Sequence, residues 1–132
     1  LGTVQQAYAL NAPLGAVVVG PQVGDLPARW SLVEADKPGV LVETVKVAED
    51  TDELVVRLYE CYNQRGPVTL RFGAPIEAVA ACNLIEDGAE RLPFAGHEVT
   101  LPMMPYQIRT LKVSLARTAR GQPQGRHEHQ GT

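Results

Sequence analysis

From Ser31 onward, short runs rich in β-branched residues alternate with clusters of Gly, Pro, Asn and Asp, and no run repeats its apolar residues at helical spacing. Ser31 to Ala35 reads as a short strand, closed by the Asp36-Lys37-Pro38-Gly39 turn. Val40 to Val47, dense in Val and Thr, suits a pleated surface better than a helix. After the acidic turn Glu49-Asp50-Thr51-Asp52, Leu54, Val56 and Leu58 fall on one strand face and Val55, Arg57 and Tyr59 on the other. Asn63 to Gly66 is a compact connection into Val68, Leu70 and Phe72, whose alternation with Thr69 and Arg71 is the cleanest in the chain.

Gly73 and Pro75 end that run, and Ile76, Ala78, Ala80 and Cys82 are expected to form the next inward-facing set. Val99 and Leu101 mark a further strand after the polar stretch Glu86 to Arg91. In Tyr106 to Leu115 the parity changes between Ile108 and the pair Leu111 and Val113, which predicts a β-bulge. The first thirty residues are less regular: Ala16 to Val19 is a strand candidate, and Pro21, Gly24 and Pro27 punctuate a loop ending near Trp30.

Seven to eight short strands joined by turns predict an all-β, antiparallel β-sandwich, immunoglobulin-like or related. Leu54, Val56, Leu58, Val68, Leu70 and Phe72 are expected to face one core from two neighbouring strands. The expected organisation is a junction over residues 1–30 containing one short strand, a sandwich over 31–115, and a tail over 116–132. That tail holds Arg, Gly, Gln, His and Pro but no large apolar residue, a composition that predicts disorder.

At 132 residues the chain suits one domain with a single core. Its net charge of −3 offers no electrostatic case for nucleic acid or an anionic membrane surface. The longest apolar run, Gly15 to Gly20, falls far short of the roughly 20 residues that span a bilayer. Leu1 to Gln6 shows no basic region leading into an apolar stretch, so no signal peptide is read there. Two cysteines, Cys61 and Cys82, do not make a disulfide framework, which favours a reducing, cytoplasmic setting and leaves their pairing open.

Candidate chemistry is sparse. Glu49, Asp50, Asp52 and Glu53 cluster, but consecutive loop carboxylates point into solvent, whereas acid–base chemistry by paired carboxylates needs a rigid pair with one group activated by its surroundings. Glu43 and Glu60 lie within strands, where a carboxylate faces solvent or pairs across the sheet with a residue such as Lys46 or Arg57. His127-Glu128-His129 has a ligand-like spacing in the tail, but a catalytic zinc site needs three ligands on a rigid scaffold. His97 has no partner in sequence, no G-x-S-x-G elbow is present, and both cysteines sit on apolar strands as small hydrophobes. No catalytic, cofactor-binding or metal residue is therefore assigned. Among the aromatics Trp30, Tyr59, Tyr62 and Tyr106, Tyr62 beside the Asn63-Gln64-Arg65-Gly66 loop is best placed to meet a sugar ring. Tyr62, Asn63 and Arg65 are the candidate sugar or rim contacts.

The run Val42-Glu43-Thr44-Val45-Lys46-Val47-Ala48-Glu49-Asp50-Thr51-Asp52-Glu53-Leu54-Val55-Val56-Arg57-Leu58-Tyr59-Glu60 resembles ETVKKAEDSDDLIVRLYE, a pattern of the C-terminal β-sandwich domain of family 38 glycoside hydrolases, the α-mannosidases. Ala9-Leu10-Asn11-Ala12-Pro13-Leu14 is similar to the A-LN-PL junction that leaves the central sandwich of those enzymes. Met104-Pro105-Tyr106-Gln107-Ile108-Arg109-Thr110-Leu111 is similar to their P-x-E-I-x-T-L ending, with Gln107 where Glu is commoner. The resemblance spans Ala7 to Val113. It implies a parent enzyme that cleaves α-mannosides with retention, using two carboxylates and a zinc ion in domains that this chain does not contain.

The expectation is a non-catalytic accessory domain with no cofactor of its own, whose partners are the other domains of the parent. Two further expectations follow. The chain alone would self-associate through an apolar patch formed by Ala9 to Val19 or by Pro102-Met103-Met104-Pro105, or would show that segment loosely ordered, and carbohydrate is a candidate ligand. The alternative is a free-standing carbohydrate-binding sandwich, which would show a dense aromatic face.

Overall fold

A computed structural model describes residues 2–25 and 27–117. Its elements are one helix, α1 (Thr3–Asn11), and nine strands: β1 (Val33–Ala35), β2 (Val40–Val47), β3 (Leu54–Glu60), β4 (Gly66–Phe72), β5 (Ile76–Cys82), β6 (Glu90–Arg91), β7 (Phe94–Ala95), β8 (Glu98–Met103) and β9 (Ile108–Leu115). Two of the nine, the two-residue β6 and β7, are not marked in the sequence, being too short to leave an alternation signal. All pairings are antiparallel, in a four-stranded sheet of order β1-β4-β8-β7 and a five-stranded sheet of order β2-β3-β9-β5-β6.

The core fills the space between the sheets. Val68, Leu70 and Phe72 of β4 and Val99, Leu101 and Met103 of β8 meet Val56 and Leu58 of β3, Leu111 and Val113 of β9, and Ile76 and Val79 of β5. The alternation in β3, β4 and β8 thus marks the core face correctly, because side chains on a pleated strand alternate sides. One expectation needs correcting. β3 and β4 are neighbours in sequence but lie in different sheets, so their apolar faces oppose each other across the core. Leu54, at the rim, is only half-buried. Met103 is the last inward residue of β8 and is buried, so the expected Pro102-Met103-Met104-Pro105 patch exposes only Pro102 and Met104.

Two bulges set the remaining parities, and neither is where the sequence predicted one. β9 pairs with β3 in unbroken register from Ile108 to Val113, so Ile108 simply points outward with Thr110. The shifts fall instead at Glu43 in β2 and Glu77 in β5. Each extra residue re-aims the strand beyond it. In β5 this turns Val79 and Ala81 inward after Ile76, and sends Ala78, Ala80 and Cys82 to the outer face, opposite to expectation.

That outer face is partly covered. Asn83 Oδ1 accepts from the Ile85 and Asp87 amides at 3.0 and 2.8 Å, bending the chain back over the sheet. The Lys46 ammonium meets Glu86, whose other oxygen accepts from the Glu49 amide at 3.3 Å. Arg57 donates to Leu84 O at 3.2 Å and to Thr110 Oγ1 at 3.4 Å. The Glu86 carboxyl is held below its ordinary range by Lys46, and the Lys46 ammonium is raised by Glu86. Val55 and Thr110, both on this outer face, are buried.

The leading segment differs most from expectation. Thr3–Asn11 is helical, supported by the propensities of Gln5, Gln6, Ala7, Ala9 and Leu10, and it stops before Pro13, which disfavours helix at Ala12. None of its residues is buried. Gln5 Nε2 donates to Pro38 O at 3.1 Å, which ties it to the sandwich. From Ala12 to Trp30 no strand forms among the described residues, Ala16 to Val19 included. The tail from residue 118, with His127-Glu128-His129, lies outside the described residues.

At the end of this segment the Trp30 ring lies over Gly73, whose amide donates to Leu32 O at 2.9 Å. A Cβ on Gly73 would sit 2.6 Å from Ser31 O and 2.8 Å from Trp30 Cε2 and Cζ2. Gly73→Ala is therefore expected to cost about 1–3 kcal/mol, the usual range for overpacking. Urea unfolding measures that loss, and displacement of Trp30, the one tryptophan, shifts its fluorescence. An unchanged unfolding midpoint and emission would refute the contact.

Candidate functional site

The candidate residues converge at the end of the sandwich where β3 leaves its sheet. Glu60, the last residue of β3, is 2% exposed and has no cationic partner among the described residues. Backbone amides satisfy it instead. Oε1 accepts from Tyr62 N at 2.8 Å and Gln64 N at 3.1 Å, and Oε2 accepts from Tyr106 N at 2.8 Å. Burial pushes the carboxyl upward, while the amides of Tyr106, Tyr62, Gln64 and Asn63 pull it down, and the balance lies below the ordinary carboxylate range. Glu60 joins the loop after β3 to the turn before β9. Both carry a left-handed residue, Asn63 at φ 57° and Tyr106 at φ 58°. Asn tolerates that region well, whereas Tyr106 is held there against its steric preference.

This placement resolves the three residues singled out from sequence. Tyr62 is half-buried: a Cβ on Gly39 would meet its Cβ and Cγ at 3.0 Å, and its hydroxyl donates to Gln5 Oε1 at 3.3 Å. Its ring braces the loop and α1. Asn63 and Arg65 are exposed, and Arg65 lines a cleft of about 330 Å³ with Lys37, Gln64, Val40, Val68 and Met103. Arg65 also borders a second, more apolar hollow against Pro67, Leu101, Pro102 and Met104. The cleft has an apolar floor and two cations at its rim. Its one carboxylate, Glu60, has both oxygens engaged by backbone amides.

The other candidates stay apart. Glu43 bulges outward, and Glu49, Asp50 and Asp52 are exposed. Glu53 is half-buried, accepting from Thr51 Oγ1 at 2.9 Å and Ser114 Oγ at 3.3 Å. His97 Nδ1 lies 2.9 Å from Phe72 O. Cys61 and Cys82 are both free and half-buried, and burial raises both thiols. The exposed aromatics among the described residues, Trp30, Tyr106, Tyr8 and Phe94, lie on four different elements: the loop before β1, the turn before β9, α1 and β7. Among the described residues, no group of three or more His, Cys, Asp or Glu side chains is placed to hold a metal ion. The described residues do not fit a zinc centre. No helix among the described residues is long and apolar enough to cross a membrane.

Sequence reasoning expected Glu60 to face solvent or to pair across the sheet with a cation, and the buried, amide-bound carboxylate does neither. The amides that surround it come from residues 62, 64 and 106, which only the folded chain brings together.

The nine-strand sandwich and its amide-bound Glu60 can be set beside known proteins. The profile of the glycosyl hydrolases family 38 C-terminal beta sandwich domain matches residues 39–111, from the turn before β2 into β9. The chain belongs to this family. Alpha-mannosidase 2C1 of Homo sapiens is 34% identical over 120 residues, covering 86% of the chain, and that of Mus musculus is 32% identical over the same share. Alpha-mannosidase G of Dictyostelium discoideum is 26% identical over 87 residues, 62% of the chain. The chain spans 11% of the length of the human and mouse relatives, and the match to the Dictyostelium protein covers 8% of that protein. The family 38 domain is thus a small part of such polypeptides.

Proposed function

We propose that this family 38 domain is a non-catalytic accessory part of a cytoplasmic α-mannosidase. It packs against the catalytic and central domains, and its Asn63–Arg65 loop borders the substrate cleft. The observation that carries this reading is the match to α-mannosidases of which the chain spans only 11%. A free-standing carbohydrate-binding module accounts less well for relatives so much longer than the chain. The carboxylates and the zinc ion of the reaction would lie elsewhere in the polypeptide. The two free thiols fit a reducing compartment. Gln64 and Arg65 line an open cleft and Asn63 is exposed beside them, so the loop offers amide, carbonyl and guanidinium groups, the chemistry that binds sugar hydroxyls.

The 132-residue chain alone is expected to show no turnover of an aryl α-mannoside, with or without added zinc, whereas the full-length polypeptide turns it over. Activity that stays with the purified chain would overturn the accessory role. Within the full-length enzyme, Asn63→Ala with Arg65→Ala should raise KM for an oligosaccharide and leave the aryl substrate unchanged. Equal kinetics on both substrates would remove the loop from the cleft.

A further inference from the structure

Leu14 to Val19 has a sequence that asks for a partner and a structure that provides none. Leu14, Val17, Val18 and Val19 are 101%, 86%, 100% and 68% exposed. None of the residues from Leu14 to Val19 makes a backbone hydrogen bond to another described residue. Three consecutive valines disfavour helix and favour strand, and stretches of unpaired, water-stranded apolar backbone mark interaction sites. The run is apolar on both parities: Leu14, Ala16 and Val18 on one face of an extended chain, Val17 and Val19 on the other. A strand covered on one face alternates with polar residues, whereas a strand covered on both reads as a continuous apolar run. Pro13 and Pro21, which lack an amide proton, bound the stretch able to form a ladder.

The chain's own sheets offer little for such a strand. The terminal strands β1, β6 and β7 are three, two and two residues long. The long terminal strand, β2, is interrupted by the bulge at Glu43 and carries Lys46, features that blunt an edge against pairing. The match to the human relative covers more of the chain than Gly39 and everything after it, so it reaches into the segment before Gly39. In that relative about nine tenths of the polypeptide lies outside the matched part.

We propose that Leu14–Val19 is an added β-strand that pairs along its backbone with an edge strand in the remainder of the same polypeptide, inside a slot lined on both sides by apolar side chains. This rests on the accessory-domain reading and specifies how the domain is attached. Strand addition joins the two parts through main-chain hydrogen bonds, with alternate side chains supplying specificity. The self-association expected of the isolated chain is then a substitute for this pairing.

The experiment is amide hydrogen exchange on the full-length polypeptide, with the 132-residue chain beside it. In a strand added at one edge only alternate amides face the partner. In the full-length protein, Val17 or Val18 should therefore exchange at least about 100-fold more slowly than the other. A Pro substitution should be tolerated at the unprotected position and should release the segment at the protected one, while Val→Ala at either leaves the alternation intact. Fast exchange throughout Leu14–Val19 in the full-length protein would overturn the proposal. So would uniform protection with equal sensitivity to Pro at both positions, which means burial without pairing. Protection already present in the dilute 132-residue chain would assign the strand to its own sheets, and protection that grows with concentration would assign it to a second copy; either overturns the proposal. Aryl α-mannosidase activity of the same full-length sample tests the accessory reading separately.

Discussion

Replacing Phe72 with alanine will destabilise the domain by about 3–5 kcal/mol, the usual cost of truncating a core aromatic. Phe72 is 1% exposed and sits at the end of β4, where it fills the space between the sheets. Its backbone is fixed on two sides: its amide donates to His97 O at 2.9 Å, and β1 pairs with it at Val33. The surroundings therefore have little freedom to collapse into the space left, which places the cost above the transfer term alone. Against a total of roughly 5–15 kcal/mol for a domain, this is a large fraction. Urea unfolding of wild type and variant at pH 7 measures it. A loss under about 1 kcal/mol would mean that the site collapses freely or that the ring does not bridge the layers.

The second large effect belongs to Glu60. Glu60→Gln keeps the shape but turns one of the two acceptor oxygens into a donor that must face either the Tyr62 and Gln64 amides or the Tyr106 amide. It also replaces charge-assisted bonds with neutral ones, so a loss of about 2–4 kcal/mol is expected at pH 7. The pH dependence gives a sharper signature. A carboxyl held below its ordinary range in the folded state contributes stability that is complete above its unfolded pKa, about 4.3 for Glu. That contribution is lost as pH falls through the lower folded value. The wild type should accordingly lose stability below about pH 4.3, whereas the Glu60→Gln variant has nothing to titrate at this position, and the gap between the two narrows in acid. A gap that stays constant from pH 7 to pH 3 would show that the charge on Glu60 has no role in holding the loop.

What could be read from the residues divides along physical lines. Regular alternation reports the inward face of a strand directly, so Val56, Leu58, Val68, Leu70 and Phe72 were assigned correctly. A bulge removes that information, because one extra residue reverses every parity after it. Glu77 is such a residue, and nothing in Ile76-Glu77-Ala78-Val79 distinguishes it from an ordinary outward strand position. The sequence of α1 contains adequate helix formers but no amphipathic stripe, since the helix buries none of its residues, and periodicity had nothing to detect. The loop Asn63 to Arg65 could be picked out from its composition. The support for it could not, because the Tyr106 amide that completes the Glu60 site lies 46 residues away along the chain.

The amino-acid sequence by itself determined that this chain is a β-sandwich of the family 38 C-terminal type, because strand propensity, turn residues and the run from Val42 to Glu60 are local properties. The tertiary structure decided which strands share a sheet, where the bulges fall, and that Glu60 is bound by amides rather than by a cation. Those outcomes depend on which segments, far apart in the chain, come to lie side by side, and strand pairing of that kind leaves no mark in either partner alone.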